Sequence, residues 1–207
     1  MNIIKELTKD LKQTTPRPPI YYQCLYTLII LFVIGAIYTF ILGLWPSSVN
    51  ELFRFPAIFY TATALLLSIL LTYQSILISI PGKQNNGLTQ LSGIIAVSIL
   101  LVLIYFLTKN TNQTSFFYWE GTFTCAIKII LMSIIPIMFL NHQINKNYVL
   151  NKNKATVILF ITSGTLGLTV ITLHCPIMDP MHILLWHILP IIIFGFLGWS
   201  ISYFYKK

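Results

Sequence analysis

Near the carboxyl end, His174-Cys175-Pro176-Ile177-Met178-Asp179-Pro180-Met181-His182 runs on into Trp186-His187. This short segment holds three of the four histidines, two of the five methionines and one of the three cysteines. Thiolate and thioether sulfur are soft ligands that favour Cu(I), and imidazole serves copper or zinc. Cys175, His174, Met178, Met181, His182 and His187 are therefore candidate ligands for a soft metal ion. Cys125, an earlier cysteine, could complete the set. Met178 and His182 are four apart and share a helix face, whereas His182 and His187 are five apart and share one only loosely. The spacing matches neither a zinc finger nor a metalloprotease.

Sulfur also permits covalent chemistry. Cys125 and Cys175 fall on the same side of the membrane arrangement derived below, facing an oxidising compartment where disulfides persist. They could form a structural staple, or an oxidant-responsive thiol pair; spacing alone leaves both open. Cys24 lies a bilayer thickness away and is expected to be a small packing residue. No nucleophile–base pair, paired carboxylates, redox cysteine motif or phosphate-cradling glycine loop occurs, so no enzymatic activity is expected and no cofactor is required. A sensed copper or similar ion is the one expected small ligand.

The elements that must position these residues follow from composition. Of 207 residues, 56% are hydrophobic and 9% charged, against about 25% charged in soluble domains. Long charge-free gaps, each sufficient for a helix of roughly 17–25 residues across the hydrocarbon core, predict an all-α integral membrane protein. Six transmembrane helices are expected, at about Ile20–Leu44, Pro56–Ile80, Leu91–Leu107, Thr122–Leu140, Ala155–Leu173 and Ile183–Phe204. The first is too long for a signal peptide and lacks a small-x-small cleavage site. Lys5, Lys9, Lys12, Arg17, Lys83, Lys146, Lys152, Lys154, Lys206 and Lys207 fall on one side, and only Arg54 and Lys109 on the other. Short basic loops stay cytoplasmic, so both termini are expected inside a bacterial inner (cytoplasmic) membrane. The net charge of +8 is thus a topology signal; no direct nucleic-acid contact is expected, and lipid is the surrounding partner.

Two units result: a cytosolic arm, residues 1–19, and a six-helix domain, residues 20–207. In the arm, Ile3, Ile4, Leu7 and Leu11 recur at helical spacing, with lysines largely elsewhere on the turn. Such a short amphipathic helix could lie on anionic lipid or dock in a protein groove. Lys128, an intramembrane charge, is close enough to a span end to snorkel. Pro136 and Pro190 are expected to bend the fourth and sixth spans.

Asp10-Leu11 with Pro16-Arg17-Pro18-Pro19, Cys125 opening the fourth span, and Leu173-His174-Cys175-Pro176 followed by Trp186-His187, Gly195 and Gly198 form a pattern. With it, the chain resembles the negative regulator of sigma F family of six-span membrane anti-sigma factors. It differs in carrying Ile177 where an acidic residue is frequent and His187 where an aromatic residue such as tyrosine is common. The resemblance implies that the arm, including Ile3, Ile4, Leu7, Asp10 and Leu11, holds a sigma factor of the extracytoplasmic-function type inactive. It also implies that the outer cysteines sense metal or oxidative stress. The alternative, from a different class, is a small inner-membrane metal or solute transporter, which would need a polar path through the spans.

The arrangement is checked with reporter fusions. A reporter active only outside the cytoplasm is expected to give signal after Leu44, Leu107 or Met178 and none after Lys83, Lys152 or Lys207. Signal at Lys83 would exclude the six-span arrangement.

Overall fold

The computed structural model describes residues 19–43, 57–80, 86–109, 119–146, 149, 151–175, 177 and 179–204. Arm residues Ile3, Ile4, Leu7, Asp10 and Leu11, together with Met178, lie outside the described residues. Those described form helices and short turns, with no strand among them. The helices are α1 (Ile20–Leu42), α2 (Ala57–Ile78), α3 (Asn86–Lys109), α4 (Trp119–Asn145), α5 (Lys152–His174) and α6 (Pro180–Phe204). Five of them, α1, α2, α4, α5 and α6, are long and apolar enough to cross a membrane, and the protein is accordingly a multi-pass membrane protein. The crossing expected at Leu91–Leu107 falls within α3, whose Thr89–Ile99 stretch is apolar.

The helix starts follow local chemistry. α1 begins directly after Pro19, whose carbonyl accepts from the Tyr22 N–H at 3.0 Å. At α5 the Asn151 side chain accepts from the Lys154 N–H, 3.0 Å away, an N-cap that satisfies an otherwise orphaned donor. α6 starts at Pro180, three residues before the expected Ile183. The reason is Asp179, whose carboxylate accepts from the His182 N–H at 3.0 Å, with proline at the first helical position, where its missing N–H costs nothing.

Of the candidate spans α5 is the most buried and α1 the least. Two glycines let neighbours approach closely. A Cβ on Gly167 would sit 2.9 Å from the Ile129 carbonyl oxygen of α4, and one on Gly198 of α6 would sit 3.1 Å from the Thr156 carbonyl oxygen of α5. Two hydroxyls that bond within their own helix also reach a neighbour: Ser133, bonded to the Ile129 carbonyl at 2.7 Å, lies 3.0 Å from the Ser163 carbonyl of α5, and Thr162, bonded to the Ile158 carbonyl at 2.6 Å, lies 3.3 Å from the Leu71 carbonyl of α2. Small residues and interhelical hydroxyls are the usual adhesives between helices in lipid. Outward, Phe32, Phe40, Met138 and Phe196 are largely exposed, as lipid-facing residues are.

Other buried hydroxyls fold back on their own helices, whereas Ser92 of α3 donates to Gln74 of α2 and Thr61 Oγ1 is buried without a partner. Thr72 donates to the Ser68 carbonyl, Ser75 to Thr72, Ser163 to Leu159 and Thr165 to Thr162.

Gly167→Ala forces a Cβ against a backbone oxygen and is expected to destabilise the bundle by about 1–3 kcal/mol, as overpacking does. Gly93→Ala, whose Cβ meets nothing, is expected to be neutral or to stabilise by up to about 1 kcal/mol through helix propensity. Thermal unfolding in detergent reads the difference; equal midpoints would contradict the close α4–α5 approach.

Candidate functional site

Four of the sequence-predicted ligands converge where α4, the end of α5 and the start of α6 meet. The ligand atoms of Cys125, Cys175, His182 and His187 all lie within 4.8 Å of one another, and all four residues are buried. The Cys125 and Cys175 sulfurs share a hydrogen bond at 3.6 Å, and Cys175 Sγ lies 3.3 Å from His182 Nε2. The His182 and His187 rings meet edge to face, with centroids 5.0 Å apart.

Local structure explains how two histidines five apart reach one point. In an α-helix they would be turned about 140° from each other. Residues Ile183–Ile188 instead form a π-helical turn, with the Leu189 N–H bonding to the Leu184 carbonyl. An i→i+5 turn places residues five apart nearly above one another. Pro190 follows immediately; proline brings no N–H and clashes with the carbonyl four residues back, and a widened turn relieves that clash. Pro136, by contrast, lies inside an unbroken α4.

The imidazoles carry unmet capacity. His187 Nδ1 lies 3.4 Å from the Tyr60 hydroxyl of α2, while His187 Nε2 and His182 Nδ1 are buried with no hydrogen-bond partner. A buried polar atom without a partner costs about 1–3 kcal/mol, so two in one cluster point to a ligand they would bind. Two thiols and two imidazoles form a donor set suited to a soft or borderline ion. The Cys175 thiol, at the end of α5, is held above the ordinary thiol range by its contact with Cys125 and by burial.

His174 is placed differently from its predicted neighbours. Its Nδ1 lies 2.8 Å from the Gly43 carbonyl at the end of α1, and its Nε2 lies 2.8 Å from Lys128 Nζ. A carbonyl only accepts and an ammonium only donates, so Nδ1 carries the ring proton and Nε2 accepts. Lys128 thus ends on an imidazole at the end of α5. Met181 is half-buried in the first turn of α6. Cys24 is buried near the opposite end of α1.

Over residues 7–205, nearly the whole chain, the sequence matches the family described as negative regulator of sigma F. The chain belongs to this family. No curated protein and no solved structure gives a significant match. This negative regulator of a sigma factor accordingly has a sigma factor as its partner, and the family is one of regulators rather than known enzymes. Within the regulator, sequence reasoning missed Tyr60 and the Lys128–His174–Gly43 tie. Nothing local marks Tyr60 beyond its place near a span end. The signal for the π-turn was present: a proline inside a span, three residues after the second of two histidines spaced by five.

At 3.6 Å the two sulfurs need only a small movement to bond. Diamide treatment of the membrane-embedded regulator, followed by denaturation and thiol counting with a maleimide mass tag, is expected to leave one reactive thiol, that of Cys24. Three remaining thiols after oxidation would contradict the observed proximity.

Proposed function

We propose that this regulator is an anti-sigma factor of the bacterial inner membrane, with both termini in the cytoplasm. Its arm, residues 1–19, sequesters a sigma factor of the extracytoplasmic-function type. A soft metal ion such as Cu(I), or an oxidant, acts at the Cys125–Cys175–His182–His187 cluster to release it. The observation that carries this reading is the buried convergence of four ligand atoms within 4.8 Å, drawn from three separate elements. A bound ion would supply a positive charge that replaces thiol protons and ties the elements more tightly together.

The chain's own residues offer a route from cluster to arm. His174, adjacent to Cys175, grips the Gly43 carbonyl at the far end of α1, and α1 continues from Pro19, where the arm ends. A shift of Cys175 toward the histidines would pull on that grip and displace α1 along its axis. Tyr60 holds His187 in orientation, and Asp179 fixes the first turn of α6. Ile3, Ile4, Leu7 and Leu11 would fill an apolar groove on the sigma factor, with Asp10 beside them. Each 1.4 kcal/mol of difference between the two states changes the affinity of the arm tenfold.

Partner-dependent transcription, measured with and without copper or diamide alongside membrane protein level, tests this reading. Leu7→Asp with Leu11→Asp is expected to leave insertion intact and make the regulon constitutive. Cys125→Ser and Cys175→Ser are each expected to leave an abundant repressor that no longer responds. His174→Ala, which spares the four ligands, is expected to uncouple the signal. If the cysteines only staple the fold, either serine variant should instead lose about 2–4 kcal/mol of stability, with abundance and repression falling together. Normal induction of both serine variants at normal abundance would remove the cysteines from the mechanism.

A further inference from the structure

A second feature lies well away from the cluster. Between α3 and the packed face of α2, α5 and α6 runs an open groove of about 750 Å³. Along α5 its lining extends from Lys154 to Leu168, fourteen residue steps, or about 21 Å at the rise of an α-helix. That is somewhat more than one leaflet of a hydrocarbon core of about 30 Å. The two ends differ in chemistry. At one end Lys154, Asn153 and Gln74 line it; at the other, Leu168, Ile99 and Ile188 do. Gln74 is already engaged, donating to Thr89 at 2.7 Å and accepting from Ser92 at 3.3 Å. Lys154 is the one charged side chain among the lining residues described. Trp199, largely exposed, flanks the same end of α6.

We infer that this groove holds one anionic phospholipid, with its headgroup at Lys154 and Asn153 and its chains along the apolar lining. A helix from a second copy of this chain would bring no anionic group to Lys154, since none of the expected spans carries an acidic residue. The charge argues for an anionic headgroup, since Lys154 has no acidic neighbour in the lining. Acyl chains gain little by leaving the bilayer for an apolar groove, because lipid is as apolar as leucine. Selectivity therefore rests on the headgroup contact, and one lysine near an anionic surface gives roughly a fivefold preference.

The test uses the full chain reconstituted in phosphatidylcholine vesicles containing either brominated phosphatidylglycerol or brominated phosphatidylcholine. Bromine quenches nearby tryptophan, and Trp199 lines the groove. Brominated phosphatidylglycerol is expected to quench with about fivefold greater apparent affinity, and Lys154→Gln should bring that ratio to about one. Gly93→Phe places a ring in the groove at a position where a Cβ meets nothing, and should weaken quenching by both lipids without lowering the thermal midpoint. Equal quenching by the two lipids in the unaltered chain would overturn the inference. So would a dimer, seen by mass in the same vesicles, that Gly93→Phe dissociates.

Discussion

Helices already dissolved in lipid gain little from burying apolar surface against one another, so close fit and hydrogen bonding must hold them in register. In this regulator α5 supplies both. Gly167 brings it against the backbone of α4, Gly198 of α6 brings α6 against it, and Ser133 and Thr162 bond across the seams to carbonyls. These contacts set the axial position of α5 relative to three neighbours. The consequence is a matter of scale. One helical turn is 5.4 Å, more than the 4.8 Å that encloses the four ligand atoms. Sliding α5 by a single turn would dissolve the cluster, so the packing of the glycines and the existence of the site are one constraint.

Polar groups inside the bundle divide into two populations. Thr72 and Ser75 of α2 and Thr162, Ser163 and Thr165 of α5 are paired with carbonyls of their own helices or of a neighbour. Around the cluster the pairing stops, and two imidazole nitrogens are left without partners. Local consistency is broken where function is expected to break it. The same end of the bundle carries Lys128, whose ammonium is held 2.8 Å from a neutral histidine rather than by a carboxylate.

Much of this was legible in the residues and some of it was not. Charge-free gaps located the helices, because a charge at mid-membrane is expensive and few occur. The segment from His174 to His187 stood out because soft ligands are rare and were concentrated there. Its membership was less legible. His174 sits next to Cys175 in sequence, yet a side chain at the end of a helix can turn either way, and this one turns to Gly43 and Lys128. Tyr60 lies more than a hundred residues from His187, and no spacing rule connects positions on different helices. α6 starts one turn before the expected Ile183, because aspartate before proline is a cap followed by a preferred first residue.

The π-turn of α6 is equivalent to an α-helix with one residue too many, since a single such turn accommodates an extra residue without disturbing the helix on either side. A sister chain one codon shorter between Ile183 and Ile188 would keep the lipid-facing and α5-facing sides of Leu189–Phe204 as they are. Its two histidines would stand four apart and would still share one face of an unwidened α-helix. The five-residue spacing of the pair and the widened turn are thus tied to each other: the turn takes up the one residue that the spacing adds.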